Sequence, residues 1–429
     1  MKKIVIIGAG FAGLRLARKL SKLKQFEIWL IDKNNYHQFQ PLFYQVATSG
    51  LEPSSISFPL RKLFQNKKNV YLRCATVTNI NAEQKFIETT VGAIDFDFLV
   101  IANGATTNYF NNEQIKSNAF PMKSVSEALY IRNQILQNIE HALIQPKEKQ
   151  NEYLSVAIVG AGPTGVELSG ALAELKKKIL PKDYPELDFT KMTITLIEAA
   201  PRVLAAMSEV SSIKAKEYLE SLGVHVLTST SVLAFNGEEI MLSNQTSFRA
   251  RNFIWAAGVT ANQINGLPDE VKGRGNRIKV NRYSQIENFD NLFAIGDVAL
   301  MATEKYPNGH PQVATVANEQ ADQLYKNLLK LIKKESLMPF EYSDKGSMAT
   351  IGRHLAVVEL PIVKFQGIIA WLFWMFLHLM LILGVKNKLL VFINWLWKYF
   401  TFDQSLRLII KPFSLKKTTT YESEQPTRS

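Results

Sequence analysis

At 429 residues, 47% hydrophobic and 21% charged, the chain has material for two or three full-sized cores, and wholesale disorder is excluded. Its formal charge of +12 comes with no basic stripe interleaved with aromatics and no nucleic-acid motif, which excludes nucleic acid as the partner. A single cysteine, Cys74, excludes a disulfide framework and any chemistry that needs two thiols, and it suits a cytoplasmic, reducing setting.

The opening MKKIVIIGAG reads as a buried strand running into a glycine turn and not as a secretory leader, since its apolar run is short and no small-residue cleavage site follows. Ile4 to Ile7 is the continuous apolar run of a parallel strand covered on both faces. Leu14, Ala17 and Leu20 then recur at helical spacing, and Phe26 to Ile31 forms the next strand. After a loop with Asn34, Asn35 and Pro41, Val70 to Val77 reads as a strand in whose apolar surroundings Cys74 is an inert thiol. Phe98 to Ala102 is a strand closed by Asn103-Gly104. Leu129, Ile135, Leu136, Ile139 and Leu143 form one stripe of a helix over 125–144, ended at Pro146. At Val156 the opening plan starts again, because VAIVGAGPTGVELSGALAEL repeats IVIIGAGFAGLRLARKL. A polar, proline-containing insert, Lys176 to Lys191, precedes a strand from Thr193 to Ile197. A helix is expected from Ala314 to Lys334, and the composition turns strongly aromatic after Lys364.

Each copy of the repeat carries a dinucleotide fingerprint. The first is Gly8-x-Gly10-x-x-Gly13, directly after a strand and opening a helix. Its glycines allow, in order, a tight turn, close approach of backbone to a pyrophosphate, and close helix–strand packing. The helix N-terminus offers free N–H groups to the phosphates, and Asp32, at the end of the second strand, accepts hydrogen bonds from a ribose. The second is Gly160-x-Gly162-x-x-Gly165, with Glu198 as its acid. An acid there favours NADH over NADPH, because it repels a 2′-phosphate, although Arg202 nearby could partly offset that repulsion. Two such units in one chain suggest a flavin at one and a nicotinamide at the other, which is an arrangement for hydride transfer.

These residues resemble the two-dinucleotide-binding-domain flavoproteins. In that superfamily the first fingerprint takes FAD, the second takes NAD(P)H, and a later Gly-Asp pair, here Gly296-Asp297 within LFAIGD, holds the flavin's ribityl and pyrophosphate region. The family's ATG-like strand ends look like Ile101-Ala102-Asn103-Gly104 and Trp255-Ala256-Ala257-Gly258, with Asn103 where threonine is usual. Within the superfamily the chain most resembles the type II NADH dehydrogenases, the non-proton-pumping NADH:quinone oxidoreductases. The resemblance rests on the loop His37 to Thr48, which includes Gln45, on Gly162-Pro163-Thr164-Gly165-Val166-Glu167, and on Met348 to Arg353. It implies an α/β fold with two Rossmann-like dinucleotide-binding domains, the second inserted in the first, plus a C-terminal membrane-anchoring segment. The expected boundaries are 1–120 and 275–340 for the FAD-binding domain, 121–274 for the NADH-binding domain and 341–429 for the membrane-associating region.

The resemblance also sets expectations for the site. Asp32 would hold the adenosine ribose of FAD, Gln45, Gly104 and Gly258 would help bind the cofactors, and Glu167 would lie near the nicotinamide. The family's quinone motif, Ala-Gln-x-Ala-x-Gln, reads Ala314-Thr315-Val316-Ala317-Asn318-Glu319 here, followed by Gln320. Thr315 and Glu319 replace both glutamines, and Glu319 is a candidate proton donor to reduced quinone, with a solvated helix face as the alternative. Disulfide reductases and sulfide:quinone reductases need paired cysteines, and the loop 34–52 has none.

The C-terminal region argues for a membrane quinone. Phe365 to Val385 holds no Asp, Glu, Lys or Arg, and a second apolar stretch runs from Leu389 to Trp397. Trp371, Trp374, Trp395 and Trp397 suit an interfacial belt, and Lys386, Lys388, Lys398, Arg407 and Lys411 would meet anionic headgroups. The expected placement is peripheral or monotopic, on the cytoplasmic face of the inner membrane, with a spanning helix or a buried interface as alternatives. A homodimer is left open. His310, His37 and His378 stand apart from any cluster with metal-ligand spacing, and no metal is expected. The other functional readings are reduction of a soluble redox partner and non-catalytic sensing of NADH.

Overall fold

The computed structural model describes residues 1–410 apart from 402 and 405. The first apolar run becomes β1 (Lys2–Ile7), followed by α1 (Phe11–Leu20), β2 (Phe26–Asp32), α2 (Phe43–Ala47), β3 (Val70–Cys74) and β4 (Phe98–Ile101). β1 is central and parallel to both neighbours, with Ile4 opposite Ile28 on one side and Phe98 on the other. Ile4, Val5 and Ile6 are wholly buried because both faces of the sheet are covered. β3 lies at the sheet's edge, and the expected strand to Val77 breaks after Cys74. The thiol is therefore exposed at the sheet edge, 3.4 Å from the Lys33 carbonyl, and not enclosed in an apolar strand.

The repeat builds the same sheet again. β5 (Phe120–Pro121) leads into α3 (Val125–Leu143), whose first turn is capped by Ser124. Then come β6 (Val156–Val159), α4 (Pro163–Lys178), β7 (Ile194–Ile197), α5 (Glu209–Ser221), β8 (His225–Leu227) and β9 (Asn252–Trp255). The order across this sheet is β5-β9-β6-β7-β8. α4 continues to Lys178, so the polar insert begins inside a helix, and it carries a further helical turn at Leu180–Asp183.

The chain then returns to the first sheet. β10 (Leu292–Ala294) pairs in parallel with β4, giving the order β10-β4-β1-β2-β3 and enclosing the second unit within the first. The outward and return crossovers pair with each other, Ala105–Thr107 antiparallel to Val259–Ala261. α6 (Ala314–Lys333) packs on α1 through Ala321, Leu324 and Leu328.

The C-terminal region is a three-stranded antiparallel sheet, β11 (Ser347–Gly352), β12 (Leu355–Glu359) and β13 (Lys364–Gln366), followed by α7 (Ile368–Leu381) and α8 (Val385–Thr401). β11 lies directly on α4, since a side chain at Gly170 would collide with the Ile351 carbonyl. The 365–385 apolar run does not form one helix. It starts in β13 and gives a helix of 14 residues, about 21 Å against the ~30 Å of a bilayer core. Among the described residues no helix is long and apolar enough to cross a membrane.

α7 and α8 each turn one narrow face inward, with Ala370, Trp374, His378, Val391 and Trp395 buried. Ile369, Leu372, Phe376, Phe392 and Trp397 face outward. Two of the four tryptophans read as an interfacial belt, Trp374 and Trp395, are thus core residues. Two of the cations expected at headgroups are also engaged by protein: Lys398 pairs with Glu174 at 3.7 Å, and Arg407 pairs with Asp183 and Asp403. Lys386 remains exposed, Lys388 donates to the Met380 carbonyl at 2.7 Å, and Lys411 lies outside the described residues.

Candidate active site

The two fingerprint turns use one device twice. Gly8 has φ +99° and Gly160 has φ +100°, a region that favours glycine. A side chain at Gly13 would strike the Gly8 carbonyl, and one at Gly165 would strike that of Gly160. Gly10 and Gly162 open onto space at the N-termini of α1 and α4, where free N–H groups suit a pyrophosphate. The acids close each turn. Asp32 accepts the Ala9 N–H at 2.6 Å and the Asn34 N–H at 2.7 Å, and Glu198 accepts those of Ala161 at 2.6 Å and Ala200 at 2.8 Å. Burial raises the Asp32 carboxyl above its ordinary value, against the pull of the two N–H groups. The Arg202 guanidinium donates to the Met207 and Ala205 carbonyls, so it is engaged away from Glu198.

The residues after β4 and β9 also match. Gly104 and Gly258, with φ of +69° and +70°, open the paired crossovers. Asn103, in place of the usual threonine, donates to the Asn262 carbonyl at 3.1 Å while Asn262 donates back to that of Asn103 at 2.7 Å. Gly296 sits between Ala12 of α1 and Ala317 of α6, and its N–H donates to Gln320 Oε1 at 2.7 Å. Asp297 follows, half-buried, and its carbonyl accepts from Gln312 at 2.9 Å.

A cavity of about 280 Å³ opens between α2, α4, the β11–β12 turn and the two C-terminal helices. Tyr44, Gln45 and Glu167 line it, facing Trp371, Trp374 and Met375. Gln45 donates to the Tyr44 hydroxyl at 2.9 Å and accepts from Trp395 Nε1 at 2.7 Å, which fixes its orientation. Glu167 is only 7% exposed, with the Thr350 N–H at 3.4 Å as a weak partner. Burial pushes its carboxyl up to about 8, so it holds a proton at neutral pH. Burial and the charge of Glu167 also push the Tyr44 phenol well above its ordinary value.

The cavity therefore brings Gln45 and Glu167 together, but Thr315 and Glu319 do not line it. Thr315 Oγ1 lies 2.9 Å from the Tyr342 hydroxyl, and Glu319 pairs with Lys345 at 3.3 Å. His310 is buried among Tyr306, Phe340 and Tyr342, and its carbonyl accepts from Arg277. His378 stacks on Trp374 at 3.9 Å, and burial lowers it to about 4. His37 bonds the Ala9 carbonyl at 2.9 Å, behind the first turn.

Residues 2–321 match the family model described as pyridine nucleotide-disulphide oxidoreductase, and residues 345–402 match that of the NDH2 C-terminal domain. Type II NADH:quinone oxidoreductase Ndh of Mycobacterium tuberculosis is 35% identical over 92% of this chain and 87% of its own length. This chain belongs to the type II NADH:quinone oxidoreductase family. The type II enzyme of Staphylococcus aureus is 32% identical over 82% of this chain and 88% of its own. A solved structure of NDH2 from Plasmodium falciparum in complex with NADH shares the fold, with a TM-score of 0.88 at 22% identity over 96% of this chain and all of that one. Sulfide:quinone oxidoreductase from Aquifex aeolicus shares it more loosely, with a TM-score of 0.73 at 20% identity over 97% of this chain and 98% of that one.

Within this type II oxidoreductase, several residues that shape the site were given no site role from the sequence, although Tyr44 and Thr350 lie in the stretches that carry the resemblance and Trp395 in the aromatic tail. Gln320 holds the Gly296-Asp297 turn, and Tyr44, Glu174, Thr350 and Trp395 build the cavity. Glu174 also had a local signal, an acid seven residues beyond Glu167 on one predicted helix.

Proposed function

We propose that the chain is a membrane-associated, FAD-dependent enzyme that oxidises NADH and reduces a quinone in the cavity beneath α7 and α8. The first turn, with Gly8, Gly10, Gly13 and Asp32, takes FAD, and Gly104, Gly296 and Asp297 extend that site. The second turn, with Gly160, Gly162, Gly165 and Glu198, takes NADH, and Gly258 stands at the matching crossover. Bound FAD supplies the two-electron chemistry, while the chain supplies position, exclusion of water and protons. The preference for NADH rests on Glu198, which repels a 2′-phosphate, and on an Arg202 turned away to backbone carbonyls.

One observation carries the choice of acceptor. A cavity joins the buried Glu167 carboxyl to the inner faces of two outwardly apolar helices. A quinone ring would lie against Trp371 and Trp374 with its oxygens toward Gln45 and Glu167, and Glu167 then gives the proton. Glu319 is engaged by Lys345 and Thr315 by Tyr342, so both serve the packing of α6. α7 and α8 lie within one leaflet at the cytoplasmic face, Ile369, Phe376 and Trp397 toward lipid.

The test is an anaerobic titration of the purified enzyme's flavin absorbance. NADH should bleach it rapidly, NADPH much more slowly, and a short-chain quinone should restore it. Bleaching by NADH without recovery on quinone would move the acceptor to a soluble redox partner and overturn this assignment of the cavity.

A further inference from the structure

Among the described residues Glu167 is one of two acids that line the cavity, and the second lies on the same helix. Glu174 follows seven residues later, about 10 Å along α4 and about 20° round it, so the two carboxyl groups share a face. Ala171, between them on that face, is too small to fill the gap. Glu167 is at the buried end, whereas the Glu174 side chain is 20% exposed and meets solvent.

The surroundings of Glu174 are those of a cavity mouth. Its carboxylate accepts the Arg353 backbone N–H and faces Lys398 at 3.7 Å. Lys177 and Lys178 of α4 and Tyr399 of α8 also line this end, and at the other end Tyr44 of α2 lies beside Glu167. The cavity thus has a polar wall along α4 and an apolar wall of Trp371, Trp374 and Met375. One water needs about 10–15 Å³ of such volume, so the 280 Å³ has room for the three or four hydrogen-bonded waters that span about 10 Å.

The reaction needs such a route. Reduction of a quinone by NADH consumes one proton from solution: NADH + H⁺ + quinone gives NAD⁺ + quinol. Two electrons and one proton arrive with the hydride. The second proton leaves the Glu167 carboxyl for a quinone oxygen, and Glu167 must be recharged before the next turnover. Its backbone partner, the Thr350 N–H, has no proton to give, the Tyr44 phenol beside it is held well above its ordinary value by burial, and the wall of Trp371, Trp374 and Met375 is apolar.

Resting on the quinone reading of the cavity, we infer that Glu174 relays protons from solvent to Glu167 along the polar wall of α4. Glu174 takes a proton at the mouth, passes it inward through cavity water, and returns to its carboxylate form. It does not touch the quinone and acts only through Glu167.

The experiment compares flavin-loaded, full-length wild type with the Glu174→Gln, Glu174→Asp and Lys398→Gln variants in stopped-flow. Flavin bleaching by NADH should be unchanged in all four. Reoxidation by a short-chain quinone should slow by roughly 10-fold or more in Glu174→Gln, increasingly so as pH rises. It should recover with millimolar imidazole or formate, small acids that carry protons into the cavity, and Glu174→Asp should keep most of the wild-type rate. An infrared pH titration of the resting protein, with the Glu167 band assigned through Glu167→Gln, should show that carboxyl unchanged in Glu174→Gln. Wild-type reoxidation in Glu174→Gln would overturn the relay. So would a slowing without rescue by small acids that Lys398→Gln reproduces, since that marks a structural tether. Failure of the quinone reading would look different, because then wild type itself would not be reoxidised.

Discussion

α1 and α4 open in the same way and end as different things. Both follow a glycine of φ near +100°, both seat their third glycine against the carbonyl of the first, and both are closed by an acid 2.6 Å from the N–H of the residue after that first glycine. Seven residues beyond the first glycine, however, α1 carries Arg15 and α4 carries Glu167; fourteen beyond, α1 has already ended at Leu20 and Lys22 follows it, whereas α4 still runs and carries Glu174. Arg15 reaches outward to a two-point pair with Asp322 of α6, each contact 2.6 Å. Glu167 is covered by α2, β11 and the C-terminal helices, and burial raises its carboxyl to about 8. The repeated part is a backbone geometry that binds phosphate. The chemistry comes from what covers the next two helical turns.

The largest test of this comparison removes the shared part from one copy at a time. Valine at Gly13 or Gly165 drives a branched side chain into the carbonyl of the turn, an overpacking that costs about 1–3 kcal/mol and displaces the N–H groups from the phosphate. Gly13→Val should be purified without flavin. Gly165→Val should keep its flavin and lose reduction by NADH by about 100-fold or more, equivalent to one or two charge-assisted hydrogen bonds. Absorbance spectra and NADH titrations separate the two. Equal loss of flavin in both variants would mean that the turns do not serve separate nucleotides.

The next test removes the divergent part. Glu167→Gln keeps the shape of the side chain and takes away its proton, and reoxidation by quinone should fall by roughly 10²–10⁴-fold while NADH still bleaches the flavin. A variant reoxidised at the wild-type rate would show that the proton comes from elsewhere, and Tyr44, bonded to Gln45 in the same wall, would be examined next.

What was legible in the sequence follows the same division. The fingerprints are local: three glycines and an acid within 40 residues define each turn, and Gly8 to Asp32 and Gly160 to Glu198 form the expected geometry. The cavity is not local, because its walls come from residues 44–45, 167–179, 222, 350–353 and 371–404. Thr315 and Glu319 drew attention by their place in a motif, but only the fold brings up Tyr342 and Lys345 to engage them. In α7 almost every residue is apolar, so periodicity cannot tell that Trp374 turns inward and Leu372 outward. Lys398 and Arg407 read as headgroup ligands because Glu174 and Asp183, which pair with them, lie more than 200 residues away; of their partners only Asp403, beside Arg407, is near in sequence. Cys74 has apolar neighbours in sequence, yet β3 is an edge strand and places it in solvent.

The smallest effect contrasts the two seventh positions by stability. The Asp322 carboxyl is held below its ordinary value; burial opposes this, but the Arg15 and Lys19 cations prevail. Its stabilising contribution is present above the unfolded value near 4 and is lost only as pH falls through the lower folded value. Between pH 6 and 8 that contribution is flat, and Arg15→Gln should cost under about 1 kcal/mol at every pH in the window, because the pair is largely exposed. Glu167 has the opposite sign. Its folded value, about 8, lies above the unfolded one near 4.3, so the folded chain keeps a proton that the unfolded chain has lost. Stability from this group is complete below pH 4.3 and declines toward pH 8 by at most about 1.4 kcal/mol per unit. Glu167→Gln removes that decline, so its melting temperature should gain on wild type steadily from pH 6 to 8 while that of Arg15→Gln keeps a constant offset. Parallel melting curves for wild type and Glu167→Gln across the window would mean that Glu167 titrates normally, and the two helices would then differ in sequence but not in electrostatics.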